Sequence, residues 1–386
     1  MKSPSLKILY ATSLFAVTVS LAGAPSLIGV ERAEREAFLA RMANIFPFPG
    51  VIKEQNEMND TINRSFPVGQ GGTLKVRSSI GTVEVQAVET RDVNIELRRK
   101  IKAADRQGAD DILRNLQLDF IHQDNDVNVL VKLPEEWDWE KIKRVRLDFK
   151  ITIPRTYNLS VNTVGVIRTT DIQGNVDLSS SGFILTTGNV RGDAYLSSSG
   201  GPITTGDIDG VATVSSAGGS VVIGDVQNNA SLSSGGGKIR IGNIGGELGV
   251  RSSGGSITIG RVGGEIVANS SGGYIHIAEV TKTIEAVSLG GEVKTYISQN
   301  PQSDCSFITS GGSVNLRLGE TVAVTIDAET GPGSVLTSYS LFKGRESSGS
   351  VLKGDINGGG PKIIIRTAAG HLTLRRSDEP VGDRKH

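Results

Sequence analysis

The chain has 386 residues, with 41 basic and 41 acidic side chains, so its formal net charge at pH 7 is zero. This balance argues against a nucleic-acid-binding protein, which normally carries a basic excess or a basic stripe. The single cysteine, Cys305, excludes an internal disulfide, so the fold has to be held together without covalent cross-links.

The first residues are typical of an export signal. Lys2 and Lys7 precede an apolar run from Ile8 to about Ala22, which is too short and too rich in serine and threonine for a membrane span. We expect residues 1–22 to be removed as a signal peptide, and an uncleaved anchor is the alternative. The mature chain would then be in the periplasm, on the cell surface or outside the cell, without a stable membrane span.

The next segment, residues 23–64, is polar and of mixed charge, and we interpret it as a tether. Within it, the stretch ERAEREAFLARMANIF has apolar residues near one helical face. A short partner-binding helix is therefore the alternative interpretation.

Residues 65–155 predict a β-rich capping section with one short helix. The stretches TLKVRS, GTVEVQAV, VNIELRRKI and RVRLDFKITIP alternate as strands do, whereas ADDILRNLQ has helical spacing. The stretch LDFIHQDNDVNVLVKLP predicts a hairpin that turns at Asp124 and Asn125. A cap is expected because an open end of stacked strands would expose unpaired strand edges.

Residues 156–300 repeat with a period of eighteen, and positions within a repeat are counted here from Asp177. Apolar residues two positions apart, mostly valine, isoleucine and leucine, indicate strands rather than helices. Glycines at positions six and seven, near twelve and near sixteen divide each repeat into three expected short strands with sharp corners. The fixed period predicts an all-β fold, a parallel β-solenoid or β-helix with about 18 residues per rung.

Two columns of identical residues recur through the repeats, and we interpret both as structural. The serines of position four are Ser180, Ser198, Ser216, Ser234, Ser252, Ser270 and Ser288. The glycines of position six are Gly182, Gly200, Gly218, Gly236, Gly254, Gly272 and Gly290. The serines should point inward and bond along the stack as a ladder, because catalysis needs one activated serine rather than a row of equivalent ones. The glycines should form turns, and Gly236→Val should be strongly destabilising if Gly236 has a positive φ.

After residue 300 the strict period ends. Residues 301–376 predict irregular rungs and a carboxy-terminal cap, because strand-like stretches joined by glycine turns continue there. Residues 377–386 are polar and predict a tail.

Together these features resemble a bacterial exported β-strand-repeat family labelled as adhesins, a domain of unknown function. The resemblance covers residues 65–376 and is carried by GTLKVRSSIGTVEVQAV, ITIPRTYNLSVNTVGVIRTTDIQGNV, the SSGG rows and INGGGPKIIIRTAAGHLTLRR. It implies the architecture but no activity, since the family has no catalytic residues to carry over. The stretch PEEWDWEKIKRVRLDF, with Trp137 and Trp139, departs from the family pattern.

No pattern in the chain indicates catalysis, a metal or a cofactor. The acids of position thirteen are Asp207, Asp225 and Glu279, and we interpret them as turn residues, because this position follows the corner glycines near position twelve, where aspartate favours turns. The histidines His122, His276, His371 and His386 are spread over unrelated sections, so a zinc site is not expected. A long outward threonine array, as an ice-binding rod would need, is broken at position ten.

The outward face of the second strand is the candidate binding surface. Positions eight and ten there place charged and aromatic groups on neighbouring rungs, namely Lys238, Arg240, Tyr274, His276, Glu292 and Lys294. We therefore expect a non-enzymatic exported protein that acts in adhesion or envelope interaction, binding a glycan or an envelope protein without a cofactor. The alternatives are a carbohydrate-active β-helix lyase or hydrolase, a purely structural envelope component, and an ordinary solvated face.

Overall fold

The computed structural model describes residues 56–339 and 342–378. These ranges are mostly β structure arranged in two long sheets, which confirms the prediction of an all-β repeat fold. The predicted signal peptide, most of the tether and most of the tail lie outside the described residues. Within the described ranges, no helix is both long and apolar enough to cross a membrane.

The amino-terminal section contains seven strands and two short helices, and all but the first strand and the second helix were expected. The strands are β1 (Asn56–Pro67), β2 (Thr73–Ser78), β3 (Thr82–Val88), β4 (Asp92–Ala103), β5 (Gln117–Gln123), β6 (Asp126–Lys132) and β7 (Val145–Pro154). The helices are α1 (Arg106–Asn115) and α2 (Trp139–Ile142). The predicted hairpin is confirmed, because β5 and β6 pair antiparallel and Asp124 in their turn has a φ of 53°.

One expectation for this section is corrected. Residues 56–64, assigned from the sequence to a tether, lie in strand β1, which pairs antiparallel with β4 along its whole length. Their polar composition hid the strand, because a sheet edge that faces solvent tolerates charged side chains.

The repeats contribute short strands in regular succession. In chain order they are β8 (Asn158–Thr163), β9 (Ile167–Thr169), β10 (Val176–Ser180), β11 (Leu185–Thr187), β12 (Ala194–Ser198), β13 (Ile203–Thr205), β14 (Ala212–Ser216), β15 (Val221–Ile223), β16 (Ala230–Ser234), β17 (Ile239–Ile241), β18 (Leu248–Ser252), β19 (Ile257–Val262), β20 (Ile266–Ser270), β21 (Ile275–Val280), β22 (Ile284–Ser288) and β23 (Val293–Ile297). The remaining strands are β24 (Cys305–Thr309), β25 (Val314–Leu318), β26 (Val324–Thr330), β27 (Val335–Thr337), β28 (Phe342–Ser348), β29 (Val351–Ile356), β30 (Lys362–Thr367) and β31 (Leu372–Arg376).

The strands belong to two sheets, and the strands of the repeats alternate between them. Sheet A has the order β1-β4-β7-β3-β9-β11-β13-β15-β17-β19-β21-β23-β25-β31-β27. Sheet B has the order β28-β29-β26-β30-β24-β22-β20-β18-β16-β14-β12-β10-β8-β2-β6-β5. The capping strands β2 and β3 therefore continue the sheets of the repeats, one in each sheet.

From β10 to β22, the successive strands of sheet B pair in parallel and in strict register. Leu178, Leu196, Val214 and Leu232 are successive partners in sheet B, so the partners are eighteen residues apart. All four side chains are buried, with exposed fractions of 3% or less. The eighteen-residue period of the sequence is thus the pairing register of the strands.

The expected third strand of each repeat is mostly absent. In its place, Ile172, Val190, Ile208, Val226 and Ile244 pair one to the next as isolated bridges. The glycines near positions twelve and sixteen leave too short a segment between them for a ladder of several residues. Only β19 and β21 extend far enough to include this position as regular strand.

The turn glycines differ from the expectation for Gly236. Among the glycines of position six, Gly182 alone has a positive φ. Gly236 does not, so the backbone strain on which the expected effect of Gly236→Val depends is absent. A Cβ atom on Gly236 would lie 3.8 Å from its nearest neighbour, the carbonyl oxygen of Gly218. The crowded glycine is the next one, Gly237, whose Cβ would lie 2.2 Å from the carbonyl oxygen of Gly219. In this turn, position seven rather than position six is where the stacking requires glycine.

Candidate functional site

The serine ladder is built into the backbone of the turns. Ser234 is buried, its hydroxyl donates to the carbonyl oxygen of Gly219 at 3.3 Å, and it accepts the N–H of Gly237 at 3.0 Å. Ser288 makes the same two bonds, donating to Gly273 and accepting from Gly291. Each such hydroxyl joins its own turn to the turn of the preceding repeat. In both serines the oxygen is engaged on both sides and shielded from solvent, as the structural interpretation of this column expects.

The acids of position thirteen also serve the backbone. The Oδ1 atom of Asp207 accepts the N–H of Asp225 at 2.8 Å, and the Oδ1 atom of Asp225 accepts the N–H of Asn243 at 2.7 Å. Glu279 instead lies 3.7 Å from the guanidinium of Arg261 in an ion pair. The two aspartates stabilise corners between repeats, as the turn interpretation expects, whereas Glu279 lies within strand β21.

The described histidines and the cysteine are separated from one another. His122 packs against Phe66 with a ring centroid distance of 5.5 Å, and the Nδ1 atom of His371 accepts the N–H of Ser334. Burial raises the pKa of the Cys305 thiol to about 11, which disfavours the reactive thiolate. Within residues 56–339 and 342–378, no group of three or more histidine, cysteine, aspartate and glutamate side chains is placed to hold a metal ion. His386 lies outside the described residues.

The six predicted binding residues all lie on or beside the outward face of sheet A, but only four of them come together. His276 on β21 and Lys294 on β23 are register partners. Arg240 on β17 is separated from His276 by an intervening strand that places Thr258 between them. Lys238 lies two residues before Arg240 and is likewise outside the group of four.

The group of four is held by direct contacts between neighbouring repeats. The rings of Tyr274 and His276 are 4.2 Å apart between centroids. The Nε2 atom of His276 lies 3.1 Å from a carboxylate oxygen of Glu292, and Asn315 donates a side-chain hydrogen bond to the other oxygen. The Glu292 carboxylate is therefore fully engaged by its neighbours, while Lys294 beside it is exposed to solvent.

Sequence reasoning missed the residues that enlarge this site. Tyr296 on β23, Arg317 on β25 and Arg375 on β31 are successive register partners on the outward face. Tyr296 was missed because it occupies position twelve, near which a corner glycine was expected. Arg317 and Arg375 were missed because the period ends after residue 300 and because β31 joins β25 from far along the chain. The signal that could have found them is the similarity of the strands VKTYI, VNLRL and LTLRR, which share one alternation and have an aromatic or basic outward residue in fourth place.

These residues line a continuous depression that we call the basic groove, defined by His276, Lys294, Tyr296, Asn315, Arg317 and Arg375. It consists of two adjoining cavities of about 550 and 780 Å³, and both are lined by Lys294 and Arg317. Glu292 is the one acidic residue among their linings. Lys294 and Arg375 make no ion pair with a carboxylate in the described part of the chain. The two linings therefore hold three basic side chains, Lys294, Arg317 and Arg375, against one carboxylate, on a protein whose formal net charge is zero.

No family model matches this chain, and no curated protein matches it either. Several solved bacterial structures are similar to it. A candidate adhesin from Bacteroides fragilis is 14% identical with a TM-score of 0.29, covering 82% of this chain and 97% of its own. A candidate cell adhesion protein from Clostridium sporogenes is 10% identical with a TM-score of 0.22, covering 82% of this chain and 100% of its own. A candidate lipid-binding protein from Parabacteroides distasonis is 10% identical with a TM-score of 0.26, covering 83% of this chain and 97% of its own.

Two of these structures carry the adhesin or cell adhesion label of the family that the sequence resembles. The identities and TM-scores are low, so the function has to be argued from the residues of the site.

Proposed function

We propose that this chain is an exported β-solenoid with about 18 residues per rung that binds an extended partner and carries out no catalysis. Its role would be adhesion or contact with the cell envelope. The pairing of the strands supports the solenoid. Each regular repeat gives one strand to sheet A and one to sheet B, and both pair in parallel with the same strands of the next repeat. The column of bridges at position fourteen supplies a third side.

The observation that carries the binding proposal is the basic groove. Its side chains come from consecutive strands of sheet A, so they repeat at the strand spacing of about 4.8 Å along the coil. A linear partner that runs along the coil would meet one new set of groups at each strand. A compact small molecule would not use such a row.

The engagement of the candidate chemical groups supports a non-enzymatic role. Hydrolysis of a glycosidic bond uses two carboxyl groups on opposite sides of the bond. The groove linings contain the single carboxylate of Glu292, which is bonded to His276 and Asn315. A lyase remains the rival activity, because elimination needs a base rather than two acids.

A binding and turnover assay on one panel of plant and bacterial polysaccharides tests this proposal. The purified chain is expected to retain one or more of them on affinity supports, with no new reducing ends and no unsaturated sugars after prolonged incubation. Appearance of either product would show an enzyme instead. Absence of binding to every polysaccharide and to isolated cell envelopes would leave a purely structural role.

The export proposal has its own test. A tagged copy expressed in bacteria should be recovered outside the cytoplasm, and mass spectrometry should show a new amino terminus after residue 22. Recovery of the intact chain in the membrane fraction would favour the uncleaved anchor, and recovery in the cytoplasm would refute export.

A further inference from the structure

We infer that the basic groove binds a linear polysaccharide that carries carboxylates on successive sugar units, a polyuronate. This inference rests on the proposed binding function and names its ligand class. It is argued from the charge, the spacing and the aromatic groups of the groove.

The charge of the groove selects an anion. Lys294, Arg317 and Arg375 are the basic groups of the two cavities, with the imidazoles of His276 and His371 beside them. The single facing acid, Glu292, bonds His276 and Asn315, and its one negative charge is outnumbered by these three basic side chains. Arginine presents a planar fork of donors that matches a carboxylate in a bidentate arrangement.

The spacing of the groove selects a linear polymer with one charge per unit. Arg317 and Arg375 are register partners on β25 and β31, and Tyr296 precedes them on β23. Neighbouring strands lie about 4.8 Å apart. A sugar unit in an extended 1,4-linked chain advances by nearly the same distance. Neighbouring units of such a chain face opposite sides, so carboxylates on one side recur at about every second unit. Lys294 on β23 and Arg375 on β31 are likewise two strands apart in sheet A.

The neutral groups of the groove suit sugar rings. Tyr296 lines the groove, and Tyr274 lies beside it with its ring against that of His276. An aromatic ring offers an apolar face together with a polar hydroxyl, which fits the mixed surface of a pyranose. Asn315 and Thr373, partners on β25 and β31, add hydrogen-bonding groups between the charges.

Other polyanions fit the groove less well. A nucleic acid is held by neutralising many phosphates along a long basic track, whereas the basic groups here are confined to a few strands of a chain with zero net charge. An anionic membrane presents a broad flat surface, whereas this site is a concavity. Nucleic acid and anionic membrane are therefore included as comparison ligands in the binding experiment.

The test measures binding of the purified chain to polygalacturonate by titration calorimetry. The comparison arms are the same polymer with its carboxyl groups methyl-esterified, dextran sulfate, single-stranded DNA and phosphatidylglycerol vesicles. The variants are Lys294→Gln and Arg375→Gln, and the matched control is Arg251→Gln, an exposed arginine on β18 of sheet B. Circular dichroism and thermal melting should be the same for all variants, because these side chains lie outside the core.

Polygalacturonate is expected to bind, and each groove variant should raise the Kd about tenfold, since each removes a charge-assisted hydrogen bond. Arg251→Gln should leave the Kd unchanged, and the esterified polymer should bind at least tenfold more weakly. Equal binding of the esterified polymer, or tighter groove-dependent binding of dextran sulfate, DNA or vesicles, would overturn the inference.

Failure of this inference and failure of the proposed function give different results. If polygalacturonate does not bind but a neutral polysaccharide or cell envelopes do, the polyuronate assignment is wrong and the binding function stands. If nothing in either panel binds, both are wrong.

Discussion

The hydroxyl of Ser234 donates a hydrogen bond to the carbonyl oxygen of Gly219, one turn earlier in the preceding repeat. The same hydroxyl accepts the N–H of Gly237 in its own turn. One buried side chain thus ties two stacked turns together, and the column of position-four serines repeats the device with small variations. The column that most resembles a row of nucleophiles in the sequence is a structural feature of the stack.

The first prediction concerns this ladder. Ser234→Ala should lower the free energy of unfolding by about 1–3 kcal/mol, because it leaves the N–H of Gly237 without its partner. The control is Ser233→Ala, since Ser233 is exposed and bonds only the neighbouring hydroxyl of Ser215. That variant should stay within about 0.5 kcal/mol of the parent. Urea denaturation measures both, and equal losses would contradict the structural role of the inward serine.

The second prediction separates two adjacent glycines. Gly237→Ala should destabilise the chain by about 1–3 kcal/mol, because the new Cβ would lie 2.2 Å from the backbone oxygen of Gly219. Gly236→Ala should change the stability by no more than about 0.5 kcal/mol, because its Cβ has room and its φ is not positive. Thermal melting of the two variants checks the difference, and the reverse order would show that the turns stack in another register.

The third prediction concerns a buried hydroxyl. Thr295 is 3% exposed, and its Oγ1 atom has no hydrogen-bond partner among the described residues. Its register partners are Ile277 and Leu316, so Thr295→Val should raise the free energy of unfolding by about 1 kcal/mol. Thr205→Val at the same repeat position should bring no gain, because the Thr205 hydroxyl donates to Gly188 at 3.3 Å. Stabilisation of both variants alike would indicate that hydrophobicity alone, rather than the missing partner, is responsible.

The fourth prediction follows from the buried thiol. Desolvation raises the pKa of Cys305 to about 11 in the folded chain, so its thiolate is scarce at every pH below that value. Iodoacetamide at pH 8 should therefore leave Cys305 unmodified in the folded chain and alkylate it rapidly once guanidinium has unfolded the chain. Mass spectrometry distinguishes the two states. Alkylation of the folded chain at the rate of a free cysteine would contradict the burial of β24.

The sequence alone was sufficient to predict the strand register within the regular repeats. The register of Leu178 with Leu196 follows from a period without insertions, because one slipped residue would turn every apolar side chain to solvent. The conformations of the turn glycines could not be derived in the same way, since crowding at Gly237 depends on how closely the next turn approaches.

Pairing between strands that are far apart in the chain limited how much of the site could be predicted from the sequence. Lys294 was found from the sequence because it lies inside the regular repeats. Arg375 was missed because β31 reaches β25 only after the strands β26 to β30 have been placed. A groove whose two sides come from distant parts of the chain is visible only when the order of the sheet is known.

The parallel stack of eighteen-residue repeats is the claim on which the groove and its spacing depend. Spin labels placed in pairs on one outward column of sheet B test it most directly by pulsed electron resonance. The first label would be at Ser179 and the second at Arg251, Asn269 or Val287, which are four, five and six strands away in register. The stack predicts mean distances that rise by about 4.8 Å with each strand, near 19, 24 and 29 Å. Distances that fail to increase by this step would contradict it.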